Sequence, residues 1–185
     1  MVASDVVVKV YRDGPLAHLG HNHVISTRAV TGRIELREPL AASSFSLALP
    51  LDSLVVDDGT RRAAAGPDFP DDLTVEDKEG TRRNLLGPAL LDAARFPVLQ
   101  LDSEAITAAG AGYQVTARVD VLGVPRQVTI PVTLERTGER LQASGEFVLR
   151  HAELGLTPFS AALGALRVRE DMEVAFRLVA QEDAS

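Results

Sequence analysis

From Tyr113 to Leu178 the chain alternates apolar and polar residues in strand-length runs. Tyr113, Val115, Ala117, Val119 and Val121 alternate with Gln114, Thr116, Arg118 and Asp120. After the break at Leu122-Gly123-Val124-Pro125-Arg126, Val128, Ile130, Val132 and Leu134 take up the same rhythm. Leu141, Ala143, Phe147 and Leu149 follow Gly138, and Met172, Val174, Phe176 and Leu178 form a last strand. A period of two gives each strand one dry and one wet face. Short Gly-containing turns between such strands predict an antiparallel meander. Its dry face must meet a second sheet or curl on itself into an apolar interior.

The N-terminal third repeats the pattern. Val6, Val8 and Val10 share a face, as do Gly32, Ile34 and Leu36, and Phe45, Leu47, Leu49 and Leu51. Alternation stops between Asp57 and Pro97 and returns from Val98 to Ile106. Leu85, Leu86, Leu90, Leu91 and Ala94 stand near helical spacing, so a helix is expected over Asn84 to Phe96, ending at Pro97. A shorter helix is expected near Arg61 to Ala65. No linker or repeat divides the chain. The expectation is an all-β fold, a closed antiparallel β-barrel forming a single domain over 1–185, with a helical insertion at about 57–97 capping one end.

Composition narrows the function. A net charge of −7 and the lack of a basic stripe argue against nucleic acid as a partner. No apolar run is long enough to span a bilayer, so the chain is expected not to be membrane-spanning. Without cysteine there is no disulfide or thiol chemistry. Met1 to Asp5 lack the basic and apolar regions of a leader, so a cytoplasmic location is expected, or a periplasmic or secreted one if a leader precedes this sequence. Nucleotide-binding glycine motifs and a nucleophile elbow are missing, and neither an enzyme nor a cofactor is expected.

Three of the four histidines, His18, His21 and His23, fall within six residues. With His151 or Asp57 they could ligate zinc or copper, but the plainer reading is a polar loop or strand face. Asp57-Asp58-Gly59 reads first as a turn. The uncharged stretch Gly155 to Leu166 is either a flap over a barrel mouth or core filler, with core filler favoured.

Several blocks in register resemble the YceI-like family of lipid-binding proteins. They are Phe45 to Val56, Arg83-Asn84-Leu85-Leu86 and Leu91-Asp92-Ala93-Ala94-Arg95-Phe96-Pro97. Leu101-Asp102-Ser103, the Leu122 to Val128 turn, Glu146 to Leu156 and Asp171 to Val174 follow. The resemblance implies a lipocalin-like barrel holding an isoprenoid-type lipid, such as an isoprenoid quinone or prenyl phosphate, for transport, storage or sensing. Residues expected to line the tail are Phe45, Leu47, Val119, Val121, Val132, Phe147, Val174 and Phe176. His21, His23 and His151 are the candidates for the head group. A metal-binding module built on His18, His21 and His23 and a scaffold barrel with a filled core are the alternatives, and homodimerisation is left open.

Overall fold

A computed structural model describes residues 4–181, so the ends of the 1–185 span lie outside the described residues. Strand β1 (Asp5–Asp13) leads through a 3-10 turn at Ala17–Leu19 to β2 (His23–Thr27), β3 (Thr31–Glu35), β4 (Ser44–Pro50) and the short β5 (Val55–Val56). Helices α1 (Gly59–Ala65) and α2 (Val75–Leu86) follow. The meander is β6 (Val98–Ala109), β7 (Gly112–Val121), β8 (Val124–Thr137) and β9 (Arg140–Arg150). A 3-10 turn at His151–Leu154, β10 (Ser160–Ala161) and β11 (Leu166–Gln181) complete the fold.

All strands belong to one antiparallel sheet in the order β3-β4-β6-β7-β8-β9-β11-β1-β2-β5, with β10 appended to β11. β1 pairs with β11 from Asp5↔Arg177 to Asp13↔Arg167 and so joins the two ends of the chain. The sheet curls strongly, but no ladder joins its edge strands β3 and β5 among the described residues. The expected closed barrel is therefore an open, curled one. After Thr27 the chain leaves β2, and Thr31 pairs with Ala48 of β4 instead of continuing beside β1. Val30, 6% exposed, fills the resulting seam together with Leu47 and Leu178. A hydrophobic plug thus stands where backbone hydrogen bonds would close the cylinder.

The helical insertion is placed differently from the sequence expectation. α2 covers Val75–Leu86, not Asn84 to Phe96. The Thr74 hydroxyl accepts from the Asp77 amide while the Asp77 carboxylate accepts from the Thr74 amide, a capping box that starts the helix in the charged stretch. Gly87-Pro88 stops it, because proline cannot donate to the helix and its ring crowds the preceding turn. Leu85 and Leu86 occupy the last turn, and Leu90, Leu91 and Ala93 continue as turns folded back on it. The shorter helix is found as α1. Its N-cap is Asp58, whose carboxylate accepts from the Arg61 amide, so Asp58-Gly59 opens a helix instead of closing a plain turn.

Candidate functional site

The inward faces of the strands enclose an elongated cavity in two compartments. The first, about 190 Å³, lies at the end away from the helices, where Tyr113, Leu134 and Leu141 meet Leu36 and Leu40 from the segment after β3. The second, about 340 Å³, lies under the helical cap and is bounded by Thr81, Asn84 and Leu85 of α2, His23, His151, Leu156 and Phe159. Val6, Leu49, Leu101, Ile130, Phe147 and Val174 line both, so the compartments meet at this waist. The second alone falls within the ~300–1,000 Å³ of small-molecule sites. The core is not filled by its own side chains.

Seven of the eight residues expected to line the tail do border the cavity. Phe45, Leu47, Val132 and Phe176 face the first compartment, Val119 the second, and Phe147 and Val174 both. Val121 does not border it. It is buried in the cluster with Val119 and Val128 at the capped end of β7. The Phe147 and Phe176 rings meet edge to face at 6.5 Å. Phe176 lies across Gly145, where an added Cβ would stand 2.8 Å from the ring and 2.1 Å from the Pro131 carbonyl oxygen. Gly145 is the gap in the β9 face that lets the ring fold flat.

The histidines separate. His21 does not border the cavity, and His18 lies on the exposed 3-10 turn. His23 and His151 line the second compartment. Among the described residues no three His, Cys, Asp or Glu side chains gather as a metal site. Nδ1 of His151 lies 2.9 Å from the Glu170 carbonyl oxygen. A carbonyl only accepts, so Nδ1 carries the proton and donates.

His23 belongs to a buried network that the sequence reading did not foresee. Asp57, 1% exposed, accepts from His23 Nδ1 (2.6 Å), the Val24 amide (2.9 Å) and Arg62 Nη1 (2.7 Å). Burial pushes the Asp57 carboxyl upward, but the bonds from His23, the Val24 amide and Arg62 more than reverse this and hold it below its ordinary value. Arg62, also 1% exposed, donates further to the Asn22 and Pro70 carbonyls. With Nδ1 donating to an ionised carboxylate, His23 turns Nε2 toward the Thr81 hydroxyl at 3.4 Å. The network ties β2, β5, α1 and the residues before α2 together, and so aims His23 and Thr81 at the cavity.

Arg62, Thr81 and Asn84 carry no functional signal that the sequence alone singles out. The spacing of Thr81 and Asn84, three apart on one helix face, was a usable signal once α2 was correctly placed. Nothing local distinguishes Arg62 from Arg61.

A curled antiparallel sheet around an apolar cavity, capped by helices, defines a lipocalin-like architecture. The YceI-like domain model matches residues 9–180, and the chain belongs to that family. Among solved structures, Burkholderia cenocepacia BcnA is similar at 17% identity and a TM-score of 0.68, covering 96% of each chain. A Campylobacter jejuni YceI protein is similar at 9% identity and a TM-score of 0.61, over 86% of this chain and 85% of that one. A polyisoprenoid-binding domain from Saccharophagus degradans is similar at 14% identity and a TM-score of 0.59, over 97% and 94%. The curated proteins contain no match. No helix among the described residues is long and apolar enough to cross a membrane.

Proposed function

We propose that this protein is a binding protein, not an enzyme, for an amphiphilic isoprenoid lipid, whose tail threads the waist and fills both compartments while its polar head lies under the helical cap. The observation that carries this is the one-ended polarity of the cavity. Hydrocarbon side chains continue from Leu134 and Leu141 through the waist to Leu149 and Leu91. The polar groups of α2 and the two histidines stand only at the capped end. Family membership and the likeness to a polyisoprenoid-binding domain support the same reading. Each buried methylene contributes about 0.8 kcal/mol, so a long tail binds well without polar contacts.

The head is a neutral hydrogen-bonding group, such as the carbonyl of an isoprenoid quinone, in preference to a prenyl phosphate. Among the described residues no lysine, arginine, aspartate or glutamate lines either compartment. A phosphate there would lose its hydration without a charged partner, which is strongly unfavourable. The Thr81 hydroxyl, Asn84 amide and two imidazoles suit a carbonyl or hydroxyl. His23 and His151 thus keep the head-group role, with Thr81 and Asn84 added, and His21 gives it up.

The test is native mass spectrometry of freshly purified protein, followed by titration with a quinone and a prenyl phosphate of equal chain length. The expected result is a one-to-one adduct and tighter binding of the quinone. Failure of both ligands to bind would overturn the lipid reading, and equal or tighter binding of the phosphate would overturn the neutral-head assignment.

A further inference from the structure

The uncharged stretch Gly155 to Leu166, favoured above as core filler, is not buried. Leu163 is fully exposed (109%) and Phe159 is 44% exposed. Ala162, Leu163 and Gly164 have φ of 49°, 54° and 88°, three consecutive residues in the left-handed region. Two of these carry a Cβ, for which that region is unfavourable. The chain therefore holds an apolar tip outward in a strained turn.

A second tip stands beside it. The Leu16 amide donates to the Ala165 carbonyl at 2.8 Å, fastening the 3-10 turn at Ala17–Leu19 to this stretch. Gly14 (φ 95°) makes the approach possible, since a Cβ there would lie 2.5 Å from the Ala165 oxygen. On that turn Leu19 is 62% exposed. Both segments leave the sheet at its capped end, from the last residue of β1 and the first of β11.

From this geometry we propose that Leu19 and Leu163, with Phe159 between the solvent and the cavity, form a docking surface for the interface of a lipid bilayer, from which the cavity is loaded. The inference rests on the lipid-binding reading for what is loaded, and on two observations for the partner. The first is continuity: Phe159 is both exposed and a wall of the second compartment, so the apolar patch runs into the cavity. A partner seated there meets the mouth through which a water-insoluble tail must pass. The second is charge. The segments 12–22 and 155–170 hold Arg12, Arg167 and Arg169 against Asp13 and Glu170, a surplus of one positive charge in a chain of net charge −7. Nearby acids have their own partners: Asp72 faces Arg62 at 3.9 Å, and Asp77 closes the cap of α2 on Thr74. Exposed apolar tips beside a local surplus of positive charge fit a membrane surface that carries anionic lipid.

The experiment is flotation of the full chain with vesicles of phosphatidylcholine containing a minority of phosphatidylglycerol, comparing the wild type with the Leu19→Ser, Leu163→Ser double variant. Both residues are exposed, so the fold is expected to survive, as circular dichroism would check. Apparent vesicle affinity should fall about tenfold or more, given the transfer free energy of two leucines. Transfer of a long-chain quinone from the vesicles should slow in parallel, while affinity for the same quinone delivered in detergent stays unchanged. Equal flotation of the two proteins, or equal transfer rates, would overturn the proposal. So would a wild-type dimer that the double variant abolishes, since the patch would then be covered by a second copy. If the wild type floats and the variant does not, yet no isoprenoid binds by either route, the surface stands and the cargo reading falls.

Discussion

The two compartments of the cavity are walled by the same strands and differ in how they are built. The compartment away from the helices is walled mainly by inward side chains from neighbouring paired strands, β6 to β9 and β11 to β1, whose registers shift only at one bulge in β6 and at one irregularity between Val10 and Arg12 of β1, with Leu36 and Leu40 closing its end. It is dry throughout, and its waist is shared by six residues from six strands. The compartment under the cap owes its polar end to residues brought together over long sequence distances: His23 to Asp57, Asp57 to Arg62, and His23 to Thr81. A strand face provides volume and apolarity by repetition, whereas polar recognition needs a specific assembly. Damage to that assembly should therefore be severe and local in cause, while damage to the wall should be graded with size.

The largest effect is expected from Asp57→Ala. It leaves the Arg62 guanidinium buried without its carboxylate and frees the Val24 amide and His23 Nδ1. Breaking a buried pair from one side costs about 3–5 kcal/mol, so a large drop in the urea midpoint is expected. Asp57→Asn keeps the shape and sharpens the comparison through pH. The folded-state pKa of Asp57 lies below the unfolded value of about 3.9. Its contribution is thus fully present above the unfolded value and is lost as pH falls through the folded one. Urea midpoints measured from pH 7 down to pH 2.5 should fall less steeply below about pH 4 in the asparagine variant than in the wild type. Parallel curves would mean that the Asp57 carboxylate contributes no pH-linked stability.

Val174→Trp attacks the join between the compartments. Val174 faces Phe147 across the β9–β11 ladder at the waist, and the larger ring would occupy the passage. A long tail would then lose the first compartment. Exclusion of one five-carbon unit weakens binding by up to about 4 kcal/mol on area grounds, so a loss of about a hundredfold or more is expected. A short-chain analogue that needs only the second compartment should bind nearly as before. Titration of a chain-length series reads the difference, and a uniform loss across the series would show that the two compartments do not act in tandem.

The same contrast governs what could be read from sequence. Phe45, Val132, Phe147 and Val174 were legible because a period of two assigns them to one face, and burial of that face sets the register. Leu101 was harder to assign. β6 carries a bulge between Ser103 and Ala105, so Leu99 and Leu101 share the inner face with Ile106 instead of with odd-numbered residues beyond the bulge. Val121 follows the pattern and yet misses the cavity, because the pattern reports a face and not the point at which the core closes. The expected closed barrel failed at the seam for a related reason: alternation in β3 is satisfied by pairing with β4 alone and says nothing about β2. α2 was misplaced because leucines past Gly87-Pro88 were weighed above the Thr74 cap and the proline. The Arg62–Asp57–His23 network left no periodic trace, since each member has a dull local reading and only the folded chain distinguishes Arg62 from Arg61.

The smallest effect is expected at the head group, and it discriminates best between the two ends. Thr81→Val replaces a hydroxyl with a methyl of nearly the same shape on a half-buried helix face. It removes the bond to His23 Nε2 without opening a hole. A neutral hydrogen bond contributes about 0.5–1.5 kcal/mol net, so affinity for a quinone should fall by roughly threefold to tenfold. A hydrocarbon of the same length with no polar head should be unaffected or should bind slightly better, because the cavity end has become more apolar. The ratio of the two affinities is thus the informative number, since it cancels any general loosening of the cap. If the ratio did not move, the polar cluster would be holding α2 against β2 and not reading the ligand. If it moved for Thr81→Val but not for a matched substitution in the first compartment, such as Leu134→Ala, recognition of the head would be confined to the capped end, as the one-ended polarity of the cavity requires.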